Sequence, residues 1–449
     1  MNATRGTVSR VWYAESSHWS PICFDVHYPP VRSSEICVFI ALFCLGGVCA
    51  RAGVLTAPAE DLQVSLVTYG PGQVYWERFG HNAIRIRDRV SGESGDFNYG
   101  VFDFEDRAFL LNFARGHMRY MIDAEHSDVN QQDYIDAGRS VLEQRLALSA
   151  EQAGKLRSFL IWNLQPENLK YEYDYLTSNC STRIRDVLNS VLGGVLAPAL
   201  AARPAPLTYR QQIDRLMAPE PSMMLAMDLG MGPSTDRPLN EWEESFLPMV
   251  LAREIRGVSI PDGHGGAEPL VVAEREISPN RLQPPGQSPP NLSWRLGGVG
   301  LVLAVVMLVS RPRFPTFFAS LGVIYLTLAG LLGTILLALW TLTTHYAAWN
   351  NANLLIFNPF AFLLLASVWR NRTGAAASRL ARMLVAFQIG AALIAVILHF
   401  LPGVAQQNLP WLLFAIPVWL AIAAGAIRAP VTASPASEGR ADFRRTQQK

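Results

Sequence analysis

Cys180 is the only thiol in residues 50–449, since the other four cysteines lie before residue 50. A lone cysteine in an oxidising compartment is either a buried apolar residue or a protected reactive group. Apolar residues downstream recur at helical spacing, which predicts a helix that begins at or just before Cys180. The first turn of such a helix favours a thiolate and can hold an oxyanion, as a nucleophile that attacks an acyl carbonyl requires.

A thiolate nucleophile needs a base, and histidine is the usual side chain for that role. The region after residue 50 and before the apolar runs contains His81, His117, His126 and His264. His81 follows a glycine and enters a predicted strand, so it is the candidate base. A strand-edge histidine bonded to main chain fits the same pattern equally well. His117 and His126 resemble exposed loop residues, and His264 lies in a glycine-rich loop.

A zinc site built from Cys180 and these histidines is the rival chemistry. No pair shows a short ligand spacing of the HExxH or CxxC type, so we expect no metal and no other cofactor.

Further polar residues stand near both candidates. Asn98 and Asp103 lie on or beside a second predicted strand, and either is a possible orienting residue for the imidazole. Each is equally plausible as a packing or turn residue. Next to the thiol, the residues that could support the site are Asn179, Arg183 and Asp186.

These side chains need a framework of strands and helices. Period-two alternation predicts strands at 64–69, 83–87 and 97–102. Helical spacing predicts helices at 104–114, 131–146, 150–164 and 183–192. Ser149, with Gln152 three residues later, suggests an N-terminal cap for the third helix. The region is therefore predicted to be an α+β domain.

The charge of the chain is divided unevenly. Residues 1–276 contain 25 Lys and Arg against 35 Asp and Glu, whereas residues 277–449 contain 13 against 2. This split excludes a single soluble globular enzyme and indicates an acidic water-exposed region joined to a membrane region. Nucleic acid is not an expected partner, because the water-exposed part is acidic.

Hydrophobic runs predict about five transmembrane helices, at 296–310, 316–342, 354–369, 383–401 and 411–427. Arginine-bearing links alternate with links 343–353 and 402–410, which contain no Lys or Arg. The positive-inside rule then places the acidic domain outside the cytoplasmic membrane. Near the outer surface lie His345, His399, Asn351 and Gln406, as a lipid-facing floor of the site or as interfacial anchors.

The remaining boundaries follow from composition. Residues 36–52 read as a signal peptide or an N-terminal membrane anchor, after a short apolar run. Before this segment, residues 1–35 are predicted to be a non-native or disordered extension. After it we expect an exported domain at 56–278, a linker at 279–293, a transmembrane domain at 294–428 and a cytoplasmic tail at 429–449.

Six ordered motifs over about residues 60–250 resemble the N-terminal periplasmic domain of the Lnb-type lipoprotein N-acyltransferases. They are FGHNAIR at 79–85, NYGVFDF at 98–104, GRSVLEQ at 138–144, PEN at 166–168, YEYDY at 171–175 and NCSTRIRD at 179–186.

This resemblance implies a papain-like, circularly permuted thiol enzyme, with His81 as the base and Cys180 as the nucleophile. It also implies transfer of an acyl chain from the diacylglyceryl group of a lipoprotein to the amine of its N-terminal cysteine. The expected substrates are membrane lipoproteins or phospholipid acyl chains, at the inner (cytoplasmic) membrane, on its periplasmic or extracellular side. Oligomeric state stays open.

Two other functions remain compatible with the residues. The same pair could act as a papain-like cysteine peptidase, an amidase or a lipid hydrolase of the cell envelope. Alternatively, the protein could be a non-catalytic membrane factor in which Cys180 is structural.

Overall fold

The computed structural model describes residues 54–102 and 108–427. The predicted segments 1–35, 36–52 and 429–449, and the candidate Asp103, lie outside these residues. The chain forms two units. The first is Met1–Ala226 with Arg237–Pro289, and the second is Met227–Asp236 with Pro290–Lys449. The predicted continuous domain at 56–278 is thus interrupted by ten residues that belong to the second unit.

The first unit is built on a seven-stranded antiparallel sheet in the order β6-β4-β3-β2-β1-β5-β9, and β7 pairs with β8 separately. The strands are β1 Leu62–Tyr69, β2 His81–Asp88, β3 Ser94–Val101, β4 Arg119–His126, β5 Val141–Leu146, β6 Lys170–Glu172, β7 Ser259–Pro261, β8 Ala267–Pro269 and β9 Val271–Ser278.

Nine short α-helices begin between residues 109 and 248. They are α1 Phe109–Arg115, α2 Ser127–Asp136, α3 Ala150–Asn163, α4 Cys180–Val191, α5 Leu196–Ala201, α6 Tyr209–Met217, α7 Pro221–Gly230, α8 Glu241–Glu244 and α9 Pro248–Ile255.

Strand β1, in the middle part of the sheet, is buried on both faces, since its alternate side chains point to opposite sides and both sides are covered. On one face, Leu66 packs in a core with Leu156 of α3 and Leu188 of α4. On the other face, Val67 belongs to a second cluster against which Tyr134 of α2 packs. Helices on both sides therefore fix the strand ends that carry the candidate residues.

The predicted helix at 131–146 is wrong in its second half. Helix α2 ends at Asp136, Gly138 adopts a left-handed φ of 77°, and β5 follows. Strand β5 pairs with both β1 and β9, and this tertiary pairing outweighs the helical preference of Leu142 and Glu143. The predicted cap of the next helix is confirmed, since Ser149 and Gln152 form a reciprocal capping box.

The second unit is helical. Its helices are α10 Ser293–Ser310, α11 Pro315–Leu342, α12 Leu365–Arg370, α13 Arg379–Phe400 and α14 Leu409–Ile427. Four segments of the described chain are long and apolar enough to cross a membrane: Ser293–Ser310, Pro315–Leu342, Ala352–Thr373 and Arg379–Phe400. Leu409–Gly425 is a shorter apolar helix. Each of the five predicted runs thus has a counterpart.

The third predicted span is not a regular α-helix. It contains 3-10 turns at Ala352–Leu355 and Pro359–Leu364 before α12 begins. Pro359 has no N–H to continue a helix, and Asn358 before it is extended, with φ −146°. The Asn358 side chain donates to Gln388 Oε1 at 2.7 Å. The side chain of Gln388 in turn donates to the carbonyl of Leu355 at 2.8 Å, as irregular backbone within a membrane requires.

Buried amides in the second unit hold main chain from residues 227–236. Asn351 and Asn353 donate to the carbonyl of Leu229 at 2.8 and 3.0 Å. Gln406 donates to the carbonyl of Met231 at 3.0 Å. We call Asn351, Asn353 and Gln406 the polar clasp.

The clasp side chains are almost fully buried, with at most 2% exposure. Asn351 and Gln406 therefore bind protein main chain, rather than lying in a lipid-facing floor or anchoring the chain in the interface.

Candidate active site

Cys180 is the first residue of α4, as its sequence context predicts. Asn179 caps this helix, because its Oδ1 accepts from the Thr182 N–H at 2.9 Å while Thr182 Oγ1 accepts from the Asn179 N–H at 2.8 Å. The N–H of Arg183 donates to the Asn179 carbonyl at 3.0 Å. The capping arrangement thus leaves the N–H groups of Cys180 and Ser181 for a group at the helix start.

The sulfur of Cys180 lies beside the beginning of β2. It is within hydrogen-bonding reach of the backbone N–H groups of Asn82, Ser181 and Cys180 itself. Asn82 directly follows His81 in β2. Gly100 of β3 also approaches the helix start, since a Cβ at this glycine would lie 3.8 Å from Cys180 Cβ. The fold thus brings the predicted nucleophile to the strand that carries the predicted base.

His81 is the first residue of β2, after Gly80 in a left-handed turn with φ 80°. Its Nε2 lies 3.1 Å from Asn98 Oδ1 on the neighbouring strand β3. Because a carbonyl oxygen only accepts hydrogen bonds, Nε2 carries the proton and Nδ1 keeps its lone pair. Of the two predicted orienting residues, Asn98 contacts the imidazole, and Asp103 lies outside the described residues.

Stacked aromatic rings hold the imidazole in place. The rings of Tyr69 and Tyr134 each lie 6.1 Å from the His81 ring, at interplanar angles of 23° and 9°. The Tyr69 hydroxyl donates to Asp96 Oδ2 at 3.0 Å, and Arg85 Nε donates to the same carboxylate at 2.7 Å. A buried polar network therefore fixes one of the two rings against the histidine.

Both members of the pair are neutral at neutral pH. Burial, helped by the positive charge of Arg139, lowers the pKa of His81 to about 4, although the hydrogen bond from His81 to Asn98 acts in the opposite direction. Burial raises the pKa of the Cys180 thiol, although the nearby N–H groups and Arg139 oppose this effect. The resting thiolate that the helix start alone predicts is thus outweighed by desolvation.

The other predicted supporting residues lie away from the sulfur. The Arg183 guanidinium stacks over the ring of Tyr171 at 4.7 Å, and Asp186 Oδ1 accepts from Arg185 Nε at 2.9 Å. Arg183 and Asp186 line a pocket of about 360 Å³ whose described lining includes neither Cys180 nor His81. Only Asn179, through the helix cap, acts directly on the position of the thiol.

The other three histidines of the first unit's described residues are exposed. His117 and His264 lie in loops, as predicted, whereas His126 ends strand β4 and accepts from the Asp128 N–H at 3.4 Å. In residues 54–102 and 108–427, no group of three His, Cys, Asp or Glu side chains is placed to hold a metal ion.

Sequence reasoning missed Tyr69, Tyr134 and Arg139. Arg139 is buried at the same end of the sheet as His81, and its Nε donates to the Gly70 carbonyl at 2.7 Å. The one available signal was its place in the motif GRSVLEQ at 138–144. The two tyrosines lie far from Cys180 in sequence, and only strand pairing and helix packing bring them to the histidine.

Two family models match the chain. Residues 54–215 match the Lnb N-terminal periplasmic domain, and residues 287–428 match the Lnb transmembrane domain. Together these matches span more than half of the sequence. The comparisons with curated proteins and with solved structures gave no match.

Proposed function

This chain belongs to the Lnb family, whose periplasmic and transmembrane domains it carries in that order, and on this premise we propose that it is an acyltransferase with Cys180 as nucleophile and His81 as base. Family membership makes it a membrane protein with a periplasmic domain, of a lipoprotein-modifying type. The proposal adds the reaction, its residues and its place in the cytoplasmic membrane.

In the first half-reaction, His81 Nδ1 accepts the Cys180 proton as the sulfur attacks an ester carbonyl of a lipoprotein's diacylglyceryl group. The N–H groups of Cys180 and Ser181 stabilise the oxyanion. The imidazolium then gives its proton to the departing glyceryl oxygen. The acyl group remains on sulfur as a thioester.

In the second half-reaction, the α-amine of the lipoprotein's N-terminal cysteine attacks the thioester. The amide bond forms as the carbon–sulfur bond breaks, and His81 passes the proton of the amine to the departing thiolate. The product is a lyso-lipoprotein with an N-linked acyl chain and a free glyceryl hydroxyl.

The observation that carries this proposal is the arrangement at the start of α4. An imidazole whose Nε2 is held by Asn98 presents Nδ1 as a neutral base, and the neighbouring sulfur lies next to two N–H groups left by the helix cap. We also propose that the domain is a permuted papain-like enzyme. This is supported by the thiol of Cys180 on a helix, the imidazole of His81 on a strand and the amide of Asn98 on the adjacent strand.

The membrane region supports a lipid-anchored substrate. An enzyme and a substrate held in one bilayer meet at a high effective concentration, because both are confined to two dimensions.

The test is expression of the full chain, and of its Cys180→Ala and His81→Gln variants, in a bacterium that lacks lipoprotein N-acylation. A lipoprotein's N-terminal peptide is analysed by mass spectrometry before and after mild alkali, which cleaves esters and leaves amides. We expect one alkali-resistant acyl chain with the wild type and none with either variant. Membrane levels of the three proteins are compared by immunoblot.

Two results would contradict the proposed acyltransferase reaction. Loss of one acyl chain without an alkali-resistant one would identify a hydrolase that uses the same thiol. Unchanged peptides with all three proteins, at equal membrane levels, would remove the lipoprotein reaction altogether.

A further inference from the structure

Arg139 is a buried cation, and none of the carboxylates in residues 54–102 and 108–427 forms an ion pair with it. The residue as a whole is 5% exposed. The Nη2 atom is buried and has no hydrogen-bond partner among the described residues. Nε donates to the Gly70 carbonyl at 2.7 Å, and Cζ lies 4.6 Å from the centre of the Tyr134 ring. A buried charge with so few partners is costly, so a counter-charge is expected nearby.

The same sheet shows how a buried arginine is normally accommodated. Arg85 donates to Asp96 through Nε at 2.7 Å and through Nη2 at 2.8 Å. Within the described residues, Arg139 has no such carboxylate.

Strand register places Arg139 at the end of the sheet that holds the proposed nucleophile and base. Tyr69 pairs with His81 on one side and with Val141 on the other. Arg139 precedes Val141 by two residues and bonds to Gly70, which follows Tyr69. The Tyr134 ring stacks on the His81 ring with 6.1 Å between centres and also lies under the guanidinium.

We propose that Arg139 is a positioning residue whose counter-charge is the Cys180 thiolate, formed when His81 takes the proton. This inference rests on the proposed role of Cys180 as nucleophile. Arg139 stabilises the sulfur anion without contacting the substrate. Among the described residues, the groups that act on its charge at rest are Glu77 and the neutral side chains of Tyr69, Tyr134 and Cys180.

Titratable and charged groups from several packed elements face this region. They are His81 of β2, Tyr69 of β1, Asp96 of β3, Tyr134 of α2, Tyr171 of β6, Cys180 of α4, Tyr173 and Glu77. Burial raises the pKa of each of these four tyrosines, so none is an anion at neutral pH. The charge of Arg139 lowers the pKa of both Cys180 and His81.

The test measures the pH dependence of Cys180 alkylation by iodoacetamide in the full-length protein in detergent micelles. Modification is followed by mass spectrometry of the tryptic peptide 171–183, which contains no other cysteine. The variants are Arg139→Met, Arg139→Lys and, as a matched control, Arg87→Met. Arg87 is exposed on β2, so its loss changes net charge equally without removing a buried cation.

We expect Arg139→Met to move the alkylation midpoint about one pH unit higher, which is about tenfold slower modification below the midpoint. Arg139→Lys keeps the charge and should stay near the wild type. Arg87→Met should leave the midpoint unchanged.

A folded Arg139→Met protein with the wild-type midpoint would overturn the inference, as would equal shifts in the Lys and Met variants, which would indicate packing rather than charge. If Arg139→Met does not fold, Arg139→Gln is compared with Arg139→Lys under the same criterion. Iodoacetamide needs no lipid substrate, so absence of acyl transfer together with the expected shift would count against the proposed reaction alone.

Discussion

The resting Cys180–His81 pair is uncharged, because burial disfavours the thiolate and the imidazolium alike. In the proposed mechanism, proton transfer between them creates two charges within the site. The groups that stabilise the new anion, namely the helix N–H groups and Arg139 in our proposal, are already in place before reaction. The energetic task of the site is thus to stabilise a transient thiolate.

If His81 is the base, as we propose, its pKa sets the acid limit of activity. With a pKa of about 4, the imidazole is a free base from about pH 5 upward and is lost as a base when pH falls through 4. We therefore expect the rate of N-acyl formation from a synthetic diacylglyceryl lipopeptide to be half-maximal near pH 4 on its acid side. A half-maximal value near 6.5, the ordinary histidine pKa, would contradict a buried base.

Asn98 should affect turnover more than substrate binding. Asn98→Ala removes the acceptor that fixes the His81 tautomer and ring plane, and a misplaced base costs roughly 100-fold in rate. We expect kcat for the same lipopeptide to fall by that order, with KM little changed. Asn168→Ala, in a turn after α3, is the matched control and should behave as the wild type. A fall in both variants would point to general destabilisation.

At the level of helices and strands, local sequence patterns predicted the structure correctly where interactions between nearby residues determine it. The cap by Ser149 and Gln152, the helix start at Cys180 and the strand start near His81 all depend on residues within a few positions of each other. Strand β5 depends instead on pairing with β1 and β9, which a window along the sequence does not contain.

The same limit applied to the site. Cys180 and His81 were recognisable by residue type and context, and Asn98 by its neighbouring strand. Arg139 was not recognisable, because an arginine after a glycine usually lies in a solvated loop. Its burial results from the contact of Gly70 with Ser140 between β1 and β5, where the Gly70 N–H donates to the Ser140 carbonyl at 2.9 Å.

The turn before β2 should depend on a glycine at position 80. A Cβ there would lie 2.9 Å from the Tyr69 carbonyl, at a φ of 80°. Gly193, with φ 73° and no atom within 4 Å of an added Cβ, is the matched control. We expect Gly193→Ala to lower the free energy of unfolding by about 1 kcal/mol, and Gly80→Ala by about 2–3 kcal/mol. Melting followed by tryptophan fluorescence measures the difference, and equal losses would contradict the contact.

For the whole molecule, the two units are interleaved in sequence, because residues 227–236 belong to the second unit although both flanking segments belong to the first. The polar clasp explains this assignment. Its buried amides bond main-chain carbonyls of 229–231, and leaving such groups unpaired would be costly.

Within the clasp, the side chain of Gln406 has three hydrogen-bond partners. It donates to Met231 O and Asn351 Oδ1, and its Oε1 accepts from the Ala352 N–H at 2.8 Å. Gln406→Leu should therefore cost about 2–4 kcal/mol of stability and lower the melting temperature of the full chain in detergent. Gln407→Leu, the adjacent half-buried glutamine, should have little effect. Similar melting temperatures for the two variants would show that the clasp does not stabilise the fold.

During synthesis, the residues that the clasp binds are made long before the clasp residues themselves. Leu229 and its partner Asn351 are 122 residues apart, and Met231 and Gln406 are 175 apart. At roughly 5–20 residues per second, the ribosome needs on the order of 10–30 seconds to complete the partners after the segment has emerged. The hydrogen bonds of the clasp to Leu229 and Met231 therefore form only after residue 406 has been made, so this part of the second unit is completed late in synthesis.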